Sequence, residues 1–126
     1  LPHPRMAHPG PGVHVLSNAQ LDTPWPKAVA LGAALRRWID AGGDDDFAPL
    51  FAALADETRW PDARLPDTGI GLERERWLSS AFIRGDDYGT RASTVVALDR
   101  DGGGVIVEAR WGPMGVPLGQ SRLELR

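Results

Sequence analysis

The stretch TVVALDRDGGGVIVEARW, residues 94–111, decides the fold of this chain. Two apolar runs rich in β-branched residues, 94–98 and 105–111, flank a short connection of Asp, Arg and three consecutive glycines. Valine and isoleucine pack well on a pleated surface, and Asp- and Gly-rich connections adopt the backbone angles that tight turns need. The pattern therefore predicts a β-hairpin with strands over 92–98 and 104–111.

The remaining elements surround this hairpin in sequence. Alternating residues predict strands over 13–18 and 120–126, and apolar residues at helical spacing predict helices over 25–41, 46–57 and 72–80. Asp22 or Thr23 is expected to cap the first helix, and Gly42-Gly43 to end it. One strand, then helices, then a run of strands indicates an α+β fold with mostly antiparallel sheets.

Composition excludes several classes of protein. A chain of 126 residues with 42% hydrophobic and 25% charged residues is the size and make-up of one folded domain. The net charge is −3 and the basic residues are scattered, so no nucleic-acid partner is expected. No apolar run is long enough to span a membrane. The absence of cysteine removes disulfides and any thiol nucleophile supplied by this chain, and no cofactor is predicted.

The first residues differ from the rest of the chain. Four prolines within residues 1–11 predict an extended arm or linker, so the domain itself is assigned to residues 12–126. The sequence starts at Leu1 without a methionine, which suggests the cut end of a longer protein. No signal peptide is visible, and a cytoplasmic location is expected. Thirteen arginines against one lysine are typical of a GC-rich bacterial gene.

Some polar residues admit both a functional and an ordinary interpretation. Asn18, at the end of the first predicted strand, could donate its amide to an oxyanion in a cleft, or simply form the turn. His3, His8 and His14 have no acidic or sulfur partner at metal-ligand spacing, which favours surface histidines over a metal site. The acidic run 44–46 is interpreted as a helix cap rather than a metal site.

Three stretches carry a resemblance to a known family. They are LSNAQLDTPWPK (16–27), LPDTGIGLERERWLSSAFI (65–83) and YGTRASTVVALD (88–99). In this order and spacing they resemble the C-terminal part of the NRDE family, which includes the Transport and Golgi organisation 2 homologues. The resemblance covers residues 12–126.

The resemblance implies an N-terminal-nucleophile (Ntn) hydrolase-like fold, a four-layer α-β-β-α sandwich of which this chain is the C-terminal portion. In such folds a terminal Cys is the nucleophile and its own α-amine is the base. Neither that Cys nor the Asn-Arg-Asp-Glu motif of the family is present here. The expected partner is therefore the N-terminal half of the same domain, either missing here or on another chain.

A more distant similarity to choloylglycine hydrolases and penicillin V acylases implies roles for particular residues. Asn18 corresponds to the oxyanion donor and Arg76 to an active-site guanidinium. Arg74 stands where those enzymes have a Ser, so the choice between Arg74 and Arg76 stays open. The further residues implied to line the pocket are Trp25, Tyr88 and Arg91.

Two functions follow from the resemblance, and both depend on the absent half. The first is hydrolysis of a linear amide or ester by a Cys outside this chain. The alternative is non-catalytic binding or trafficking of haem or lipid in the same cleft, and a third interpretation is an inert half-sandwich. We expect Asn18 and the segment 74–76 to converge on one cleft, and an open apolar sheet face at or beside Val96, Val107 and Trp111.

Overall fold

A computed structural model describes residues 6–126. His3 and the first five residues of the predicted arm lie outside this range. The three helices are α1 (Pro26–Asp40), α2 (Ala48–Leu54) and α3 (Leu72–Trp77), and the three strands are β1 (Ala92–Leu98), β2 (Gly104–Trp111) and β3 (Pro117–Leu125). Short 3-10 turns cover Asp62–Arg64 and Pro113–Gly115. Within the described residues, none of the helices combines the length and apolar character needed to cross a bilayer.

The strands form one antiparallel sheet in the order β1-β2-β3. Val95 pairs with Val107, which in turn pairs with Arg122. The hairpin predicted from residues 94–111 is confirmed, and its turn closes where the Asp99 N–H donates to the Gly103 carbonyl at 2.8 Å. The α+β class is confirmed. The four-layer sandwich is not, because residues 6–126 contain a single three-stranded sheet.

The predicted strand 13–18 is wrong. Residues 13–16 have no regular secondary structure and pair with no strand among residues 6–126. The Val15 N–H donates instead to Asp22 Oδ1 at 2.8 Å, and the Asp22 N–H donates back to the Val15 carbonyl at 2.8 Å. Asp22 adopts the left-handed conformation (φ 60°) that closes this loop. The backbone groups that a ladder would use are therefore consumed locally.

The helices differ from the prediction mainly at their ends. α1 begins at Pro26 after Trp25, with no side-chain cap, so the expected cap at Asp22 or Thr23 is wrong. Asp22 is unavailable because Val15 occupies its carboxylate. The helices α2 and α3 are shorter than the predicted 46–57 and 72–80. The N-cap of α2 is Phe47, with no side-chain cap, so the acidic run 44–46 does not supply the expected N-cap. Asp46 Oδ1 does accept the N–H of the first helical residue, Ala48, at 3.0 Å.

Helices α1 and α2 cover one face of β1 and β2. The buried cluster there consists of Phe47, Leu50, Val95, Val105 and Val107, with partly buried side chains of α1 and α2 packed around it. This face collects the apolar residues because alternate strand positions point to the same side of a sheet. Burying it removes the apolar area that drives folding of this part of the chain.

The opposite face of the sheet is open. Val96, Leu98 and Leu123 are 55%, 70% and 59% exposed. Of the three residues expected at this face, only Val96 lies on it. Val107 is buried under the helices, and Trp111 packs edge-on against Phe82 with ring centroids 5.2 Å apart. The strands of the hairpin were predicted correctly, but the side of the sheet that the helices cover was not.

The open face predicts self-association of the 126-residue chain. Monomers rarely leave a contiguous apolar surface of more than a few hundred Å² in water. Size-exclusion chromatography across a concentration series should therefore show a shift to larger species, and the double variant Val96→Lys, Leu123→Lys should reduce it. A sharp monomer peak at every concentration for the unaltered chain would contradict this expectation.

Candidate functional site

A cavity of about 240 Å³ lies between the loop that carries Asn18, the start of α1, the irregular stretch 60–70 and helix α3. We call it the Asn18 cavity. Its apolar walls are Trp25, Trp60, Leu65, Pro66, Ile70 and Leu78. Ligand sites are usually apolar hollows with a few convergent polar groups. The polar residues that line this one are Asn18, Lys27, Thr68, Glu75 and Ser79.

Lys27 brings a cation to the Asn18 cavity from the second position of α1. Its side chain is half-buried, and Nζ donates to the Leu78 carbonyl at 2.8 Å. Burial lowers the pKa of Lys27, and attraction to the Glu75 carboxylate partly opposes that shift. The ammonium group is therefore incompletely solvated, a state in which an additional acceptor from a ligand is favourable.

Glu75 brings a carboxylate to the same cavity from α3. The residue is only 6% exposed. Its Oε1 accepts the Thr68 N–H at 2.8 Å and also the Thr68 hydroxyl. Within residues 6–126 the Glu75 carboxylate makes no direct ion pair with Lys27. The lining of one cavity thus includes two opposite charges that do not pair with each other: Lys27 bonds to Leu78, and Glu75 bonds to Thr68.

Asn18 lies at the edge of this cavity on an exposed bend. No hydrogen bond among residues 6–126 uses its side-chain amide. An amide that is not consumed by its own turn can donate to a group in the cavity. This geometry is what the oxyanion hypothesis requires of Asn18, whose catalytic role stays a prediction.

Neither candidate arginine lines the Asn18 cavity. Arg76 forms a bidentate pair with Asp62, with Nε–Oδ1 and Nη2–Oδ2 distances of 2.8 and 2.6 Å, and it also contacts Glu73. Asp62 raises the pKa of Arg76 above its usual value. Arg74 is exposed on α3. Of the segment 74–76, only Glu75 lines the same cavity as Asn18, because successive helix positions point in different directions.

The expected pocket residues separate in the same way. Trp25 lines the Asn18 cavity. Tyr88 packs against Trp77 with ring centroids 5.6 Å apart, and Arg91 Nη2 donates to the Asp86 carbonyl at 3.4 Å. Tyr88 and Arg91 are exposed and lie outside the cavity lining.

Sequence reasoning missed Lys27 and Glu75. Lys27 carried a usable signal, since it is the single lysine among 14 basic residues and directly follows Trp25-Pro26. Glu75 carried none, because it stands in a run of alternating Glu and Arg that is typical of a solvated helix face. Its contact with the distant stretch 60–70 is made through Thr68, which donates two hydrogen bonds to Glu75 Oε1.

A second, larger hollow of about 560 Å³ runs along β1, and we call it the β1 groove. One wall is the segment 14–16, the other is β1, and the floor includes Leu31 and Leu35 of α1. In an antiparallel pair, every second residue of a strand hydrogen-bonds to the neighbouring strand. The Trp111 N–H donates to the Arg91 carbonyl and the Asp99 N–H to the Gly103 carbonyl, so the odd-numbered residues of β1 bond to β2. The N–H and C=O groups of residues 94, 96 and 98 therefore point into the groove.

The wall of the β1 groove is held by His14 and Asp22. His14 Nδ1 lies 2.7 Å from Asp22 Oδ2, and Nε2 lies 2.7 Å from the Gly10 carbonyl. The hydrogen bond to Asp22 raises the pKa of His14, and the same bond lowers the pKa of Asp22. Both ring nitrogens are occupied, which leaves neither of them to coordinate a metal. Within residues 6–126 no three metal-ligating side chains cluster.

This pair predicts that the order of the loop 10–22 depends on pH. Because the pKa of His14 is raised, its stabilisation of the loop is complete below the ordinary value of 6.5 and is lost as pH rises through the raised pKa. The lowered pKa of Asp22 makes its contribution complete above 3.8 and lost as pH falls through the lowered value. Exchange of the Val15 amide with solvent should be slowest between pH 4 and 6.5 after correction for intrinsic rates. Equal protection at pH 5.5 and pH 8.5 would contradict the role of His14.

The fold and the site define a class of protein: an α+β chain with an antiparallel sheet covered on one face, and a cavity with apolar walls and a few polar groups at the start of its longest helix. The chain belongs to the Transport and Golgi organisation 2 family, whose sequence profile matches residues 2–113. It is 38% identical over 104 residues to the Transport and Golgi organization protein 2 homolog of Bos taurus and 35% identical over 102 residues to that of Homo sapiens. The Mus musculus homolog is 30% identical over 102 residues. Each match covers 73% of this chain and 36% of the relative, so the matched part spans about a third of these relatives.

Proposed function

We propose that this chain is one part of an Ntn-type hydrolase that cleaves a linear amide or ester. The nucleophile is the terminal Cys of a segment outside residues 1–126, and Asn18 donates its amide to the oxyanion. The observation that carries the proposal is the uncommitted amide of Asn18 at a cavity with apolar walls, beside Lys27 and Glu75. Family membership supports it through the Ntn-like fold that the NRDE resemblance implies.

The proposed reaction has two halves. The thiol sulfur bonds to the substrate carbonyl carbon while the α-amine takes the thiol proton, and the carbonyl oxygen becomes an oxyanion. Asn18 stabilises that charge most strongly in the transition state, which is where a donor lowers the barrier. The C–N or C–O bond then breaks, and the proton passes to the leaving group. Water finally adds to the thioester and releases the acid and the free thiol.

The partner in this proposal is the remaining part of the same domain. Its support is the free edge of β1 and the open face at Val96, Leu98 and Leu123, both of which need covering. The free edge of β1 forms one wall of the β1 groove, so a strand placed in the groove would hydrogen-bond to residues 94, 96 and 98. Arg74 and Arg76 would orient substrate that extends past α3, outside the Asn18 cavity.

Hydrolysis by the longer protein that contains this chain tests the proposal. We expect turnover of short N-acyl amides or the matching esters, and complete loss of turnover after alkylation of thiols. Because residues 1–126 contain no cysteine, the loss would locate the essential thiol in the remaining part of the protein. Turnover that survives complete alkylation would contradict a Cys nucleophile.

The alternative function is binding of lipid or haem without turnover, and one observation favours the lipid. The β1 groove is within the 300–1,000 Å³ range of small-molecule sites and has an apolar floor. Haem is less well supported there, because both ring nitrogens of His14 are engaged. Stoichiometric binding of a fatty acid by the longer protein, with no hydrolysis of any acyl compound, would favour this alternative.

A further inference from the structure

The charges of the Asn18 cavity are arranged for a ligand that both accepts and donates a hydrogen bond. Lys27 Nζ is anchored on the Leu78 carbonyl, and Glu75 Oε1 is anchored on Thr68. No hydrogen bond within residues 6–126 engages the other carboxylate oxygen, Oε2. In the same part of the chain every fully buried side-chain polar atom has a partner, so the unpartnered Oε2 is not fully buried, and Glu75 lines the cavity.

A secondary amide matches this arrangement of charges. In a trans amide the C=O and the N–H point in opposite directions, so one group can face the ammonium while the other faces the carboxylate. Hydrogen bonds to charged groups are about twice as strong as those between neutral groups. An ester has no N–H, so it would direct oxygen lone pairs at Glu75 and leave Oε2 without a donor, while Oε1 keeps its hydrogen bonds from Thr68.

Resting on the proposed function, we propose that Lys27 and Glu75 make the Asn18 cavity specific for a secondary amide over an ester. The amide carbonyl accepts from Lys27 Nζ, and the amide N–H donates to Glu75 Oε2. Trp25 and Trp60 pack against the hydrocarbon on either side. The volume of about 240 Å³ is below that of most drug-sized sites, so the ligand has short flanks around one amide group.

Three probes of nearly equal size test this specificity on the 126-residue chain: N-methylhexanamide, methyl hexanoate and N,N-dimethylhexanamide. Binding is followed by NMR through the indole N–H signals of Trp25 and Trp60. The secondary amide should bind with a Kd at least about tenfold lower than that of either other probe, because only it donates to a charged acceptor. The dimethyl amide isolates the N–H, since it retains a strongly polar carbonyl.

Glu75→Gln supplies the matched variant. The Thr68 N–H and hydroxyl hold the acceptor end of the new side chain, so its NH₂ replaces Oε2 on the cavity side. The Gln NH₂ and the amide N–H of the probe are both donors, so the secondary amide loses its advantage. The three probes should then bind with Kd values within about threefold of one another. Glu73→Gln is the control, because Glu73 lies on the same helix at 87% side-chain exposure and should keep the preference.

Equal binding of the secondary amide and the dimethyl amide to the unaltered chain would overturn the inference, and so would no binding of any probe. Both outcomes are measured on the unaltered chain, so they depend neither on the folding of a variant nor on catalysis. An amide preference without hydrolysis in the longer protein would uphold the specificity and refute the proposed function. Hydrolysis of amides and esters at equal rates, with no preference in binding, would uphold the proposed function and refute the specificity.

Discussion

Replacing Asn18 with Ala should lower the hydrolytic rate of the longer protein by about a hundredfold or more, without changing its fold. Removing one preorganised donor to an oxyanion has this effect in acyl-transfer enzymes. The fold should tolerate the change, because no hydrogen bond among residues 6–126 depends on the Asn18 amide and the residue is exposed. Steady-state kinetics of the variant, with circular dichroism to verify the fold, measures the effect.

Gln20→Ala is the matched control for this variant. Gln20 lies on the same exposed loop but outside the Asn18 cavity, so its removal should leave kcat unchanged within about twofold. The loss in Asn18→Ala should fall on kcat more than on KM, because the bond is stronger in the transition state than in the bound substrate. An unchanged kcat would exclude Asn18 as the oxyanion donor.

The second large effect is on stability. Phe47→Ala should destabilise the 126-residue chain by about 3–5 kcal/mol, because it removes a buried ring and leaves a cavity. Phe47 is 6% exposed, belongs to the buried cluster under β1 and β2, and packs against Trp38 with ring centroids 5.8 Å apart. A domain is usually stable by only about 5–15 kcal/mol, so this variant should be close to unfolding at room temperature.

Urea denaturation compares this variant with Val96→Ala on the open face. Val96 is 55% exposed, so its truncation should cost less than about 0.5 kcal/mol. Similar losses in the two variants would contradict the assignment of the covered and open faces of the sheet. Where Phe47→Ala does not fold at all, Phe47→Leu, which retains most of the buried apolar volume, gives a measurable intermediate loss.

The hairpin could be predicted from sequence because its pattern is local. The β-branched runs of residues 94–111 and the glycines between them specify strand, turn and strand without help from the rest of the chain. The segment 13–16 carries a similar alternation, yet a strand also needs a neighbour, and Asp22 occupies the backbone of Val15 instead. Patterns report which residues are able to form a ladder, and the partner is decided by tertiary structure.

The sequence predicted only part of the candidate site correctly. Asn18 was identified from its position at the end of the predicted strand 13–18, and it lines a cavity although that strand does not form. The arginines were chosen by alignment, but Arg76 is held by Asp62, fourteen residues away. Burial of Glu75 depends on how the stretch 60–70 folds over α3, and no periodicity in the run of alternating Glu and Arg encodes that packing.

The most direct test of the central claim is to trap the acyl-enzyme. The longer protein is incubated with a thiol-directed acyl probe, digested and examined by mass spectrometry. We predict one adduct, on the terminal Cys of the segment outside residues 1–126, and much slower labelling in Asn18→Ala than in Gln20→Ala. No adduct on that Cys, or labelling at the same rate in both variants, would contradict an Ntn-type hydrolase in which Asn18 completes the active site.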